Sequence, residues 1–149
     1  MTFKGLDNQS VELKITNYQF PDSNDREWDG NWLNIYINVI SKIGNWQTID
    51  PSLTTIEVQQ LSDWFVELSL NKKPQWLDQE FTEPNLTFKL LNKIDSEQKL
   101  IRISFDLESR PQSAKDEIEY FVDFKADNNQ LIQISNDLKN ELSKYPERK

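Results

Sequence analysis

Hydrophobic positions recur along this chain with two periods, and the switches between them lay out its elements. Val11, Leu13 and Ile15 alternate with Glu12, Lys14 and Thr16. That period of two predicts a strand with one buried face. Phe3–Leu6 and the turn-forming set Asp7-Asn8-Gln9-Ser10 precede it, so the chain should open as a short hairpin. The strand should end near Phe20-Pro21, because proline lacks a ladder donor. Leu33, Ile35, Ile37 and Val39 face one way in the next strand, with Asn34, Tyr36 and Asn38 opposite. Gly44-Asn45 should turn the chain into a short return strand, Trp46 to Ile49, before Asp50-Pro51-Ser52-Leu53 breaks the pattern.

The period then lengthens. Thr54 and Glu57 have capping-box spacing, in which side chains and backbone amides satisfy each other at a helix start. Val58, Leu61, Phe65 and Leu68 follow at helical intervals, and the helix should stop before Lys72-Lys73-Pro74. A second set of strands comes next: Leu86 to Leu90, Ile101 to Leu107 and Ile118 to Ala126, with Asp95–Gln98 and Arg110–Ser113 as turn and loop. Asp127 and Gln130 repeat the capping spacing. Leu131, Ile134, Leu138 and Leu142 line the final helix, and a frayed, charged tail is expected after Tyr145-Pro146.

This order predicts an α+β fold: antiparallel β-meanders of about 7–8 strands, with two amphipathic helices packed on the buried sheet face. The halves echo each other. Val11–Asn17 resembles Leu86–Asn92, and the two capping pairs, with Val58, Leu61 and Phe65 against Leu131, Ile134 and Leu138, share an offset of 73. The 149 residues read as a single domain, 1–149, with pseudo-repeat halves of about 1–74 and 75–149. Generic meander-plus-helix units would look similar without duplication.

Composition removes several chemistries. The chain has no cysteine and no histidine, which excludes a disulfide framework, a Ser-His-Asp triad, a Cys-His dyad and a His-zinc centre. Only 3 glycines are present, and no phosphate-cradling glycine loop appears. Twenty-five acids against 17 bases give a net charge of −8, which disfavours nucleic acid and anionic membranes as partners. No signal-like or membrane-spanning apolar run is visible, so the cytoplasm is the expected location. Asn85-Leu86-Thr87 fits a glycosylation sequon that a cytoplasmic protein would not use.

The acids concentrate in residues 1–30 and 75–109, each net −3. Within them, Asp22, Asp25, Glu27 and Asp29 surround Trp28, and Glu80 and Glu83 form a second acidic loop. Acids around an aromatic have the composition of an interface for a basic partner, although a solvated loop would have it too. Trp28 and Trp76 lie in loops and are interface candidates, whereas Trp32, Trp46 and Trp64 belong to the core. Asp25-x-Glu27-x-Asp29-Gly30 partly echoes a calcium loop. Its twelfth position is Tyr36 rather than a bidentate Glu, however, and it runs into a strand, so no metal and no cofactor are expected. Paired carboxylates could hydrolyse a glycoside without histidine, but with 25 acids some pair is always at hand.

Four stretches together resemble the WapI family of bacterial immunity proteins. They are Tyr18-Gln-Phe-Pro21 with Trp28-Asp-x-Asn-Trp-Leu33, and Asp50-Pro-x-Leu-Thr54 leading through Glu57 to Leu61-x-x-Trp64. The others are Phe81-x-Glu-Pro-Asn-Leu-x-Phe88 and Arg102-Ile-x-Phe-x-Leu-Glu-x-Arg-Pro111. The resemblance implies a small cytoplasmic protein, not an enzyme, that binds and blocks a cognate toxin domain, often a nuclease. A nuclease carries a positive surface for phosphates, which an acidic protein can occupy. The expected toxin-facing patch is Asp22, Asp25, Glu27, Trp28, Asp29, Glu80 and Glu83, with Trp28 as the anchor. A binding or structural module with no toxin partner, or a carboxylate-based hydrolase, would be the alternatives. Oligomeric state is left open by the sequence.

Overall fold

The computed structural model describes residues 1–23 and 28–149, with Trp28 described by its backbone alone. Two antiparallel four-stranded sheets form in chain order. Thr2–Lys4 (β1), Ser10–Tyr18 (β2), Trp32–Ser41 (β3) and Gly44–Thr54 (β4) make the first. Asp78–Gln79 (β5), Leu86–Leu90 (β6), Lys99–Phe105 (β7) and Tyr120–Ala126 (β8) make the second. The helix Thr55–Ser69 (α1) follows the first sheet and Asn128–Ser143 (α2) the second. The fold is therefore α+β, as the two periods predict.

Alternation decides which faces are buried. Val11, Leu13 and Ile15 of β2 lie beside Val39, Ile37 and Ile35 of β3, and all six are buried. Ile101, Ile103 and Phe105 do the same in the second sheet against Phe124, Val122 and Tyr120. Both sheets and both helices share one core. Phe3 of β1 sits at its centre, with its ring 5.3 Å from Phe124, 5.7 Å from Phe88 and 6.3 Å from Phe65. The sheets approach closely where β1 ends: a Cβ added to Gly5 would stand 2.7 Å from Val122 Cγ1. Trp32, Trp46 and Trp64 are buried, as expected.

Both helices start with complete capping boxes, Thr54 with Glu57 and Asp127 with Gln130. Helix α1 closes in a Schellman turn: Asn71 adopts φ 54°, and the amides of Asn71 and Lys72 reach the carbonyls of Leu68 and Glu67. The helices pack on each other, and Ser62 of α1 meets Ser135 of α2. Ser62 Oγ lies 2.8 Å from Ser135 Oγ and 3.1 Å from the Ser135 carbonyl, at the same offset of 73 that relates the capping boxes.

Several boundaries differ from the sequence reading. The first-sheet hairpin turns at Lys42-Ile43, and Gly44 opens β4 with φ 133°, a conformation glycine adopts without strain. Strand β4 does not stop at Ile49. It runs on to Thr54 through a bulge, because Leu33 pairs with Leu53 and Ile35 with Asp50, leaving Pro51 and Ser52 opposite Asn34. Proline is tolerated because β4 is an edge strand. Strand β7 ends at Phe105 rather than Leu107, which has φ 48° in a tight turn and is exposed. Ile118 likewise lies outside β8 and is exposed. The short strand β5 had no periodic signal.

The C-terminal tail is tied down rather than frayed. Tyr145 Oη donates to the Thr16 carbonyl at 2.8 Å, and Tyr18 Oη donates to the Pro146 carbonyl at 2.5 Å. The two rings meet edge to face at 5.5 Å.

Candidate functional site

Asp22 and Asp29 are both exposed, on either side of residues 24–27. Asp25 and Glu27 lie outside the described residues, as does the side chain of Trp28. Glu80 and Glu83 are exposed in the loop between β5 and β6.

The structure ties both acidic segments to the first turn of α1. Thr55 Oγ1 donates to Asn31 Oδ1 at 3.2 Å, which anchors the turn carrying Asp29. The Thr82 amide donates to Glu57 Oε1 at 2.7 Å, which anchors the loop carrying Glu80 and Glu83. Glu57 can do this because its other oxygen serves the capping box, accepting from the Thr54 amide at 2.8 Å. The side chain is buried with its acceptors occupied on both sides, the condition for keeping a carboxylate out of water. Thr55 and Glu57 are only two residues apart, about 3 Å along the helix axis, so the two loops flank a single turn.

Two further carboxylates, Asp50 and Glu108, meet beside the second loop. Asn85, next but one to Glu83, is buried, and its Nδ2 donates to Asp50 Oδ2 at 2.9 Å and to Glu108 Oε2 at 3.3 Å. The glycosylation sequon is thus inside the fold. Burial pushes the Asp50 carboxyl above its ordinary value, and the negative charge of Glu108 and then Glu83 adds to that. The Asn85 hydrogen bond opposes it. Asp50, Glu83 and Glu108 come from three separate segments, so neither spacing nor composition pointed to Asp50 or Glu108. Nearby, Trp46 Nε1 donates to the Ser109 carbonyl at 2.9 Å and closes the seam between β4 and the turn at Leu107–Ser109.

Arg148 was likewise not a sequence candidate, yet it organises the first acidic segment. Its guanidinium donates to the carbonyls of Phe20 (2.8 Å), Ser23 (2.8 Å), Pro21 (2.9 Å) and Gly30 (3.4 Å). It also lies 3.6 Å over the Tyr18 ring. Its own backbone pairs with the Asn31 side chain in both directions, at 2.8 and 3.0 Å. One residue therefore holds both ends of the segment around 24–27. Arg102 and Arg110 have structural partners instead. Arg102 grips Asp123 across the strands with two bonds of 2.8 and 2.9 Å, and Arg110 pairs with Asp116 at 3.2 Å and Asp106 at 3.7 Å.

Three grooves mark the surface. One, of about 410 Å³, is lined by Glu80, Phe81, Asp106, Arg110, Asp116 and Glu119 among others. A second, of about 1040 Å³, lies along the outer side of α1 beside Trp76 and also includes Glu80. A third, of about 500 Å³, runs between the helices past Ile56 and Leu142. Glu80 thus stands on the ridge between the first two. None of these three is lined by Asp50 or Glu108. No helix is long and apolar enough to cross a membrane among the described residues.

Such a surface can offer negative charge and an aromatic side chain to a protein partner. In a comparison with known families, the immunity protein WapI-like family matches residues 2–146. The curated proteins give no match.

Proposed function

This chain belongs to the WapI-like immunity protein family, and on that premise we propose that it binds and blocks a cognate toxin domain, a basic one of nuclease type, through its acidic surface. The toxin-facing patch combines Asp22, Asp25, Glu27, Trp28 and Asp29 with Glu80 and Glu83. The observation that carries this reading is the attachment of both acidic segments to the first turn of α1, by Asn31 to Thr55 and by Thr82 to Glu57. Charges on loops tied to one helix turn can steer a cationic partner and need no catalytic group. The blocker works in the cytoplasm, as a stoichiometric inhibitor rather than an enzyme. We read the chain as one domain of two pseudo-repeat halves. The shared core and the meeting of Ser62 with Ser135 support this, since a pseudo-two-fold axis brings equivalent residues face to face.

A carboxylate-based hydrolase has one observation in its favour, the raised carboxyl of Asp50 near Glu108. The Asn85 amide bridges these two acids, however, and the three grooves are lined by other residues.

The test is a pull-down with this protein as bait from the source cell's lysate and secreted fraction, washed at rising salt. It is followed by co-expression of bait and captured protein. The expected result is a basic toxin fragment that is lost at high salt, and survival of cells making both proteins. Failure to retain any toxin in low salt would overturn the reading and leave a module with another partner.

A further inference from the structure

Trp76 is 66% exposed, the most of any large hydrophobic residue described, and its neighbour Leu77 is 45% exposed. Single exposed apolar residues are ordinary. An exposed Trp-Leu pair in the wall of a groove of about 1040 Å³ is a different arrangement. The backbone beneath them is fixed: Trp64 Nε1 donates to the Trp76 carbonyl at 3.1 Å, and the Leu90 amide reaches the Leu77 carbonyl at 3.5 Å. The buried Trp64 indole therefore holds in place the main chain from which the Trp76 ring projects. A ring presented from an ordered backbone loses little further freedom on binding.

The charge around the groove selects the occupant. Asp63, Glu67, Asp78 and Glu80 line it together with Lys73 and Lys89. Lys89 is engaged by Asp78 at 3.6 Å. Asp63 accepts from the neutral Gln59 amide at 2.9 Å, and Asp63, Glu67 and Glu80 form no ion pair among the described residues. Three carboxylates thus face one lysine around an aromatic anchor.

We propose that this groove receives a cationic segment of the toxin, whose basic side chains meet Asp63, Glu67 and Glu80 while an apolar side chain covers Trp76. This rests on the toxin-binding reading above and moves its energetic centre from Trp28 to Trp76. Aromatic anchors near the middle of an interface govern dissociation, while unpaired charges at its margin govern association.

The test uses the full chain and the toxin fragment recovered with the wild-type protein, with rates measured by surface plasmon resonance. Trp76→Ala keeps the carbonyl that Trp64 binds, and an unchanged unfolding midpoint would verify the fold. It should dissociate at least about tenfold faster. The double variant Asp63→Asn with Glu67→Gln should associate about threefold or more slowly at low salt and match the wild type at high salt. Ile43→Ala, at the exposed hairpin turn, should change neither rate. A Trp76→Ala protein that dissociates within twofold of the wild type would overturn the groove and leave the toxin-binding reading standing. A wild-type protein that recovers no toxin would overturn both.

Discussion

Replacing Arg148 with Ala should loosen the segment that carries Asp22 and Asp29. Three of its carbonyl contacts are between 2.8 and 2.9 Å, and the fourth is a longer 3.4 Å. At a partly exposed site each good bond contributes about 0.5–1 kcal/mol net, and the stacking on Tyr18 about 0.5–1 kcal/mol. Against this stands about 2 kcal/mol for immobilising the arginine side chain. The balance is a net loss of about 0–2 kcal/mol, centred on about 1 kcal/mol, or roughly fivefold in the local opening constant. Amide hydrogen exchange reads this directly. The Gln19 amide, bonded to the Trp32 carbonyl at 2.8 Å, and the Ser23 amide, bonded to the Phe20 carbonyl at 3.2 Å, are the reporters. Both should exchange faster in Arg148→Ala by that factor, and Arg148→Lys should fall between, since an ammonium lacks the planar fork and stacks poorly. Exchange at Gln19 and Ser23 equal to wild type in Arg148→Ala would refute the reasoning.

Two pH-dependent effects and one kinetic effect follow. Asp50 is raised above 3.8 in the folded chain, so its contribution is fully present below that value and is lost as pH rises through the raised one. Asp50→Asn should therefore be more stable than wild type at pH 7, with the advantage vanishing toward pH 3 in urea denaturation. Lys99 is fully buried, donates to Asn71 Oδ1 and Asn128 Oδ1, and is held below 10.5 by burial, with Asp95 pulling it back up. The unfolded chain binds the extra proton between the lowered value and 10.5, so this group adds stability as pH rises across that window. Lys99→Met should abolish that increment in the same assay. Neutralising Asp25, Glu27 and Asp29 together, to Asn or Gln, should slow association with the toxin and flatten its salt dependence, and unchanged stopped-flow kinetics would remove them from the interface.

The strands were legible because a pleated chain in a half-buried sheet must alternate, and Ile101, Ile103 and Phe105 do so without interruption. The helices were legible from their capping pairs, whose side chains act within four residues. Strand β4 was misread because Pro51 normally ends a central strand, and only the sheet order reveals that β4 is an edge. The tethering of the tail was out of reach for a deeper reason. Arg148 binds main-chain carbonyls 118 to 128 residues away, and every residue carries the same carbonyl. The acidic segments were visible as composition, but Asp50 and Glu108 meet through Asn85, whose sequence context offered only an unused glycosylation sequon. Trp76 was legible as a loop tryptophan, while the groove beside it depends on α1 and β6 packing on either side.

The central claim is that charge on this surface brings the toxin in. Its most direct test is the association rate of the wild-type protein with its toxin, measured across ionic strength. The account predicts a fall of about tenfold or more between roughly 0.01 and 0.5 M salt, with dissociation changing far less. An association rate that stays constant over that range, with binding intact, would contradict it.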